Sequence, residues 1–393
     1  MQDFLRRTWA QINLDALSNN IQQIKSIMSP SAKLCAVVKA DCYGHGYQHT
    51  VLEMSEAGAD WFAVSNLSEA LQLRRVGISK PVLIMGYTPP DKAAQLVYND
   101  ISQAVFSSEY AKALSENAVK NGVKVSAHVK IDTGMSRIGF LYHDSIDDYP
   151  VIDEIEEICS LPGINPEGIF THFSSADCAD GEVFTRIQYD LFLSAIDRLH
   201  SRGIDFAIKH CSNSAAILEY PEMNMDMVRA GIILYGLYPS GSVSRRINLL
   251  PVMELKSVIS QIKTVPPDTP VSYGRTYHSP SDTVIATVPI GYADGYPRLC
   301  SNKTYMLVNG HKAKVLGNVC MDQTLIDVTG IPDAMAGSQI TVFGRDNGEF
   351  LPVENLSEKS GLINYEIICG LSRRVPRVYI KNNEIIETTD YML

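Results

Sequence analysis

The sequence predicts an α/β chain, a (β/α)8 barrel of eight parallel strands followed by a mostly-β carboxyl-terminal domain. Three observations carry that prediction. Between Ala32 and about residue 240, a short apolar run alternates eight times with a longer stretch of helical period. Eight βα repeats in roughly 200–250 residues are what a closed barrel needs, and fewer would leave an open sheet. After Gly241 the pattern becomes one of strands and tight turns, with Asn309-Gly310 a type I′ hairpin signal. The length of 393 residues also exceeds the size at which one core stops growing, so two domains are expected.

The elements follow in order. Trp9 to Asn13 is extended but too early for the barrel cycle, and is expected to pair with the second domain. Asp15 to Met28 has helical period and should pack across the end of the first barrel strand. The eight apolar runs are Lys33 to Val38, Trp61 to Val64, Pro81 to Met85, Ile101 to Phe106, Val123 to Ile131, Gly168 to Phe173, Phe206 to Cys211 and Met227 to Tyr235. Amphipathic segments such as Ser108 to Asn121, Ile152 to Ser160 and Glu182 to Ser201 separate them. The loop-rich stretch Tyr238 to Ser244 places the boundary, giving a barrel over 12–241 and a β-rich domain over 242–393 joined by residues 1–11. Within the second domain, strands are expected at Val252 to Val265, Thr283 to Pro289, Tyr305 to Val308, Lys312 to Leu316, Thr324 to Val328, Gln339 to Phe343 and Val375 to Lys381.

Composition excludes several function classes. The net charge is -10, with 44 acidic against 34 basic residues. Such a field repels phosphate backbones, so nucleic acid is not an expected partner, and an anionic small ligand must be held by local cations and amides. The eight cysteines show no Cys-x-x-Cys pair and no zinc-finger spacing, and read as small buried hydrophobes of a reducing compartment. With no signal-peptide apolar region after Arg6-Arg7 and no run of 18 apolar residues, the expected location is the cytosol, with no membrane span.

In a barrel of this kind chemistry sits at the carboxyl ends of the strands. Lys39 follows the apolar run Leu34 to Val38. Partial desolvation at the rim favours the neutral amine, which condenses with aldehydes, so Lys39 is a Schiff-base candidate as well as a plain solvated cap. Gly44 and Gly46 would let the backbone approach a ligand, and Tyr43 offers a hydroxyl beside them. The fifth strand runs into His128-Val-Lys130-Ile-Asp132-Thr-Gly134-Met-Ser-Arg137, and the sixth into Thr171-His172-Phe173, where the histidine is a core or a site residue. The seventh leads to Asn213-Ser214 at a helix start, an anion site or a simple cap. Arg229, inside the apolar eighth run, needs a buried partner or a ligand, and Gly231 would let the backbone close on a phosphate. A Schiff-base lysine with a phosphate seat suggests pyridoxal 5′-phosphate (PLP). In the β domain, Tyr273 and Tyr292 stand beside glycines and a cation, while Cys320-Met321-Asp322 and Asn364-Tyr365-Glu366 are less distinctive. Arg373-Arg374-Val-Pro-Arg377 reads as the solvated face of a terminal strand.

Assembled in this order, the motifs resemble those of the alanine racemases over essentially the whole chain. They are Val-Lys39-Ala-Asp-Cys-Tyr43-Gly-His-Gly, Lys130-Ile-Asp-Thr-Gly-Met-Ser-Arg137, Thr-His172-Phe, Asn213-Ser214-Ala-Ala, Met-Val-Arg229-Ala-Gly231-Ile232, Ser-Tyr273-Gly-Arg-Thr-Tyr, Gly-Tyr292-Ala-Asp-Gly-Tyr and Val-Cys-Met321-Asp322. The resemblance implies a cytoplasmic homodimer with shared active sites that supplies D-alanine for the cell wall. It implies that Lys39 holds PLP and is the base on one face of the α-carbon, with Tyr273 of the partner subunit the base on the other. By the same likeness Tyr43, Ser214, Gly231, Ile232 and Tyr365 hold the phosphate, and Asn213 is a further cofactor-binding residue. Arg229 faces the pyridine nitrogen, with His172 linking it to the tyrosine base. Arg137 serves the phenolic oxygen and the substrate carboxylate, Met321 binds that carboxylate by its amide, and Tyr292 and Asp322 line the entrance. Many relatives carbamylate the lysine at Lys130.

A barrel decarboxylase would place an acid opposite the pyridine nitrogen, which Arg229 argues against, and PLP carriers resemble the barrel alone. A serine racemase of the same fold is the nearest alternative, with Tyr365 favouring alanine. Asn318 stands where many relatives carry arginine, which puts substrate steering in question, and Cys42 replaces a common alanine.

Overall fold

The computed structural model describes residues 4, 6–143 and 151–392, so residues 1–3 and 5 of the expected amino-terminal segment lie outside the described residues. Two compact units make up the chain. One is Leu17–Cys42 with Tyr47–Leu250, and the other is Met1–Ala16 with Tyr43–Gly46 and Pro251–Leu393.

The first strand, β1 (Thr8–Asn13), belongs to the second of these units. The barrel unit is built on β2 (Lys33–Val37), β3 (Trp61–Val64), β4 (Val82–Ile84), β5 (Ile101–Val105), β6 (Val125–Asp132) with the short β7 (Phe140–Leu141) beside it, β8 (Ile164–Phe170), β9 (Ile208–His210) and β10 (Met227–Ala230). The parallel order is β10-β2-β3-β4-β5-β6-β8-β9. Two backbone bonds, Asp226 N to Lys209 O (3.1 Å) and Arg229 N to Ser212 O (3.0 Å), bridge β10 to β9 and nearly close the ring. Every residue of β3, β4 and β5 is buried, which is why these strands read as continuous apolar runs instead of alternating ones.

Two barrel expectations need correction. The sixth run begins at Ile164, because Asn165-Pro166-Glu167 pairs with β6 despite its polarity. Ala127 pairs with Pro166 and His128 with Gly168, so Glu167 is an extra residue, a β-bulge. The eighth run is strand only to Ala230, and Ile232–Tyr235 is a 3-10 turn closed by Gly236 at φ 81°. The helices Leu14–Ile27, Ser108–Lys120, Val151–Cys159 and Glu182–His200 stand where the helical period put them.

The units divide at Leu250/Pro251, later than the loop-rich stretch at 238–244. The Asn20 amide explains the difference, donating to Leu234 O (3.0 Å) and Leu250 O (2.8 Å) and accepting from Leu250 N (2.8 Å). Polar composition there marks a surface turn that stays with the barrel. At the other end, β1 pairs along its length with Met253–Val258 and Arg377–Lys381, which takes residues as far as Ala16 into the β unit.

In the β unit the sheet order is Gln261–Val265, Thr283–Val288, Thr324–Asp327, His311–Leu316, Tyr305–Val308, Gln339–Asp346, Met253–Val258, β1, Arg377–Lys381 and Glu384–Thr389. Asn309 (φ 52°) and Gly310 (φ 80°) make the expected two-residue turn between paired Val308 and His311. The long strand expected over Val252 to Val265 breaks at Ile259-Ser260, and its halves pair with different neighbours. The helices Glu354–Ser360 and Asn364–Cys369 had no legible period. Arg377 overturns the reading of a solvated basic face, since it is buried and donates to Gly44 O (2.9 Å), Ser372 O (2.9 Å), Leu371 O (3.0 Å) and Val375 O. Cys35, Cys42, Cys211 and Cys300 are buried, but Cys178 and Cys369 are exposed, against the expectation of burial throughout. Among the described residues no helix is long and apolar enough to cross a membrane.

Candidate active site

Lys39 lies just past β2, half-buried, at the start of a left-handed turn. Ala40, Asp41 and Cys42 have φ 54° and ψ 50°, and Tyr43 follows at φ 52°. Such a run costs L-residues about 1–2 kcal/mol each, because Cβ crowds the following carbonyl. Hydrogen bonds hold it: Ala40 N donates to Glu69 Oε1 (2.8 Å), Ser65 N to Glu69 Oε2 (2.8 Å), and Tyr47 N to Asp41 Oδ1 (2.9 Å). Glu69 therefore pins the residue next to Lys39, a role that no motif in the sequence signalled. The flanking glycines make room for protein, contrary to the expectation of a ligand. A Cβ on Gly44 would lie 2.1 Å from Ile368 O, and one on Gly46 2.1 Å from Tyr379 Oη.

Inside the barrel Arg229 is buried and donates to His210 Nδ1 (2.8 Å), Thr171 O (2.9 Å), Cys211 O (3.0 Å) and His172 Nδ1 (3.1 Å). Among the described residues no carboxylate pairs with it, and burial lowers its pKa to about 10. A guanidinium only donates, so both imidazoles must present an unprotonated Nδ1. His172 is kept neutral, its pKa held well below the usual value by burial and then by the charges of Arg229, Arg137, Lys130 and Lys39. Four basic side chains, from three strand ends and one turn, thus act electrostatically on a single ring.

Lys130 is buried in β6, with Nζ donating to Ile131 O (2.6 Å) and lying 5.6 Å from the Phe170 ring centre. Burial lowers its pKa to about 7, against the opposing charge of Asp132. Asp132 Oδ1 accepts from Gly134 N (2.9 Å) and Ser136 N (3.0 Å), shaping the turn that presents exposed Arg137. Ser214 Oγ accepts from Gly231 N (2.8 Å), which brings those two together beside Ile232. The Asn213 amide is used within the barrel, capping Ala216 N (3.0 Å) and donating to Phe173 O (3.2 Å).

The β unit gathers the remaining residues on adjoining loops. Tyr273 is 73% exposed, following Ser272 at φ 63°. Asn318 Nδ2 donates to Tyr273 O (2.7 Å), and Ser272 Oγ to Asn318 O (2.5 Å). Asn318, in question for substrate steering, is in this chain a brace for the Tyr273 loop. Gly291 allows Met321 to pack closely, since a Cβ there would meet Cys320 O and Met321 O at 2.3 Å. Tyr292 N then bonds Cys320 O (3.1 Å) and Ala293 N bonds Met321 O (3.0 Å), while the Met321 N–H has no backbone acceptor among the described residues. Asp322 pairs with Arg374 (2.8 Å), which also approaches buried Asp294 (3.7 Å). The rings of Tyr43 and Tyr365 lie 6.1 Å apart at 47°. No described cluster of His, Cys, Asp and Glu could hold a metal ion.

Comparison with known proteins bears on this arrangement. The model of the alanine racemase N-terminal domain matches residues 12–239, and that of the alanine racemase C-terminal domain matches 252–379. The alanine racemase of Desulfovibrio desulfuricans is 45% identical over 385 residues, 97% of this chain and 100% of that one. The solved alanine racemase of Clostridium difficile is 41% identical with a TM-score of 0.93, covering 100% of both chains. That of Bacillus anthracis with bound L-Ala-P is 35% identical with a TM-score of 0.92, covering 100% of this chain and 99% of that one. Family models over both units and full-length identity above 40% lead to one conclusion: this chain belongs to the alanine racemase family.

Proposed function

We propose that the mouth of the barrel holds pyridoxal 5′-phosphate on Lys39 and that the chain interconverts L- and D-alanine there with one base on each face of the α-carbon. Family membership supports the reaction, an isomerisation of alanine that would supply D-alanine for peptidoglycan. The observation that carries the cofactor reading is the geometry of buried Arg229, which donates to His210 Nδ1 and His172 Nδ1 with no carboxylate against it among the described residues. A site with buried Arg229 and Lys130, half-buried Lys39 and exposed Arg137 fits a ligand bearing a phosphate and a phenolic oxygen. When bound, PLP supplies an aldehyde for an amine to condense with and a ring that accepts electron density from the substrate α-carbon.

The chain's own residues do the rest. The amine of Lys39 is the attachment point and then takes or returns a proton at one face. The Gly231–Ser214 corner and the Ile232 amide of the barrel unit would hold the phosphate; Asn213 positions this helix start through its cap. Arg229 donates only, so set against the pyridine nitrogen it would keep that nitrogen unprotonated and leave the ring a weaker electron sink, which would favour rapid reprotonation over side reactions. Because Arg229 occupies His172 Nδ1, the His172 proton sits on Nε2, where it can donate to the Tyr273 oxygen of a second copy of the chain. That phenol is the base for the opposite face, so the working unit is a homodimer. Arg137 and the Met321 amide hold the substrate carboxylate, with Tyr292 and Asp322 at the entrance. Lys130, near half-neutral at pH 7, is able to react with CO2, and the resulting carbamate would offset the cations around it.

Optical rotation of L-alanine and of L-serine solutions, each mixed with PLP-loaded protein, tests the reading. Wild type should racemise alanine faster than serine. Lys39→Ala should lose both turnover and the cofactor's visible band, and normal turnover in that variant refutes the assignment. Tyr273→Phe should slow α-proton exchange from L-alanine far more than from D-alanine; equal slowing contradicts the two-face model.

A further inference from the structure

A polar chain runs from half-buried Glu167 into the buried interior of the barrel. Glu167 is the bulged residue of β8, and its carboxylate is turned toward β5 and β6. Glu167 Oε2 accepts from Ser102 Oγ (2.5 Å) and from His128 Nε2 (3.2 Å). His128 Nδ1 lies 3.0 Å from His210 Nε2, and His210 Nδ1 accepts from Arg229 Nη1 (2.8 Å). The chain runs from Ser102, near the amino end of β5, to Arg229 in β10 and on to His172 beyond β8.

Donor and acceptor rules leave one self-consistent arrangement. Arg229 can only donate, so His210 Nδ1 is bare and its proton is on Nε2. That proton points at His128 Nδ1, which must accept, and the His128 proton is then on Nε2, facing Glu167. Both rings are neutral, their pKa values lowered by burial first. Burial pushes the Glu167 carboxyl up, but the bonds from His128 and Ser102 outweigh it and hold it below the usual range. At neutral pH Glu167 therefore accepts and never donates.

The packing is built to hold these rings. His210 stacks on Phe170 at 4.8 Å and 6°, and the Trp61 ring lies 5.6 Å from His128. A Cβ on Gly168 would come within 2.5 Å of His128 Nδ1, so a glycine beside the bulge is what lets the imidazole lie there.

We infer that Glu167 is a remote positioning residue for racemisation: through His128 and His210 it fixes the ring tautomers that give Arg229 an acceptor and so hold the guanidinium in place. The inference rests on Arg229 being the residue set against the cofactor ring. Without the carboxylate the Nε2 proton of His128 loses its protein acceptor, and the two rings are free to reverse. His210 would then turn an N–H toward Arg229 and lose that hydrogen bond.

The test uses PLP-loaded enzyme labelled with 15N-histidine. Two-bond 15N–1H correlations read each ring's tautomer, and kinetics with L-alanine run alongside. In wild type both His128 and His210 should carry the proton on Nε2. Glu167→Ala should shift at least one ring to the Nδ1–H form and lower kcat about tenfold, the worth of one oriented bond to a charged group, with KM within about twofold. Glu167→Gln, whose amide oxygen still accepts, should keep the wild-type tautomers and recover most of kcat. Three results would overturn the inference: Nδ1–H rings in wild type, unchanged rings in Glu167→Ala, or equal kcat losses in both variants without any tautomer change. If Glu167→Ala fails to fold, the wild-type and Glu167→Gln spectra still decide. An active Lys39→Ala would instead sink the cofactor reading and leave the tautomer result legible.

Discussion

Replacing Glu69 by alanine should loosen the hold on Lys39 without touching any group that meets substrate. The four consecutive non-glycine residues Ala40, Asp41, Cys42 and Tyr43 have φ between 52° and 54°. At about 1–2 kcal/mol each, this turn stores about 4–8 kcal/mol of conformational cost. Glu69 contributes two bonds to charge, from Ala40 N and Ser65 N, both 2.8 Å. Both bonds are exposed and so worth roughly 0.5–1.5 kcal/mol apiece, enough to offset the cost at Ala40 but not that of the whole turn. Their loss should let Ala40 relax toward right-handed backbone and move the Lys39 amine. Titration with PLP, followed by the visible band, should show affinity weakened at least about tenfold, equivalent to about 1.4 kcal/mol. Adding Ala40→Gly to the same variant should restore part of it, because glycine adopts positive φ without steric cost. If Glu69→Ala titrates like wild type, or if the added glycine brings no recovery, the claim that strain at this turn is held by Glu69 is wrong.

Asn318→Ala should free the Tyr273 loop and lower kcat with L-alanine about threefold to tenfold through loss of one hydrogen bond, while the PLP titration stays unchanged; a parallel loss of PLP affinity would contradict this. Arg377→Met should leave carbonyls of 44, 371, 372 and 375 without their donor and cost about 3–5 kcal/mol, seen as a melting temperature lower by at least about 6 °C; a smaller fall would mean water replaces the guanidinium. Lys130→Met concerns pH. The folded-state pKa of about 7 lies below the ordinary 10.5, so the unfolded chain binds more protons between those values. The penalty for burying the ammonium is fully present below pH 7 and fades as pH rises toward 10.5. In CO2-depleted buffer Lys130→Met should therefore be more stable than wild type at pH 6, by a few kcal/mol on the order of 2–5, with the gap closing near pH 10. Urea midpoints at the two pH values measure this, and a constant gap would refute it.

Much of the architecture was legible because it is written in local pattern. Strands buried on both faces appear as unbroken apolar runs, and amphipathic helices such as Glu182–His200 show their period. Asn309-Gly310 announced its hairpin because few other residue pairs tolerate two positive φ values. Motif order likewise gave Lys39, Arg229 and Tyr273 as site candidates. Features that depend on residues far apart in the chain were not legible. Glu69, distant from Lys39 in sequence, carries no motif. Arg377 read as solvated because the carbonyls that bury it come from separate loops.

By itself, then, the sequence determined the fold class, the barrel cycle and the residue types at each strand end, since burial and periodicity act over a few neighbours. Tertiary structure alone decided which polar atoms meet. It placed Arg229 between two neutral imidazoles, gave Asn318 the Tyr273 carbonyl, and turned bulged Glu167 toward His128. Hydrogen bonds are short-ranged and directional, so their partners are fixed only once the strands have closed into register.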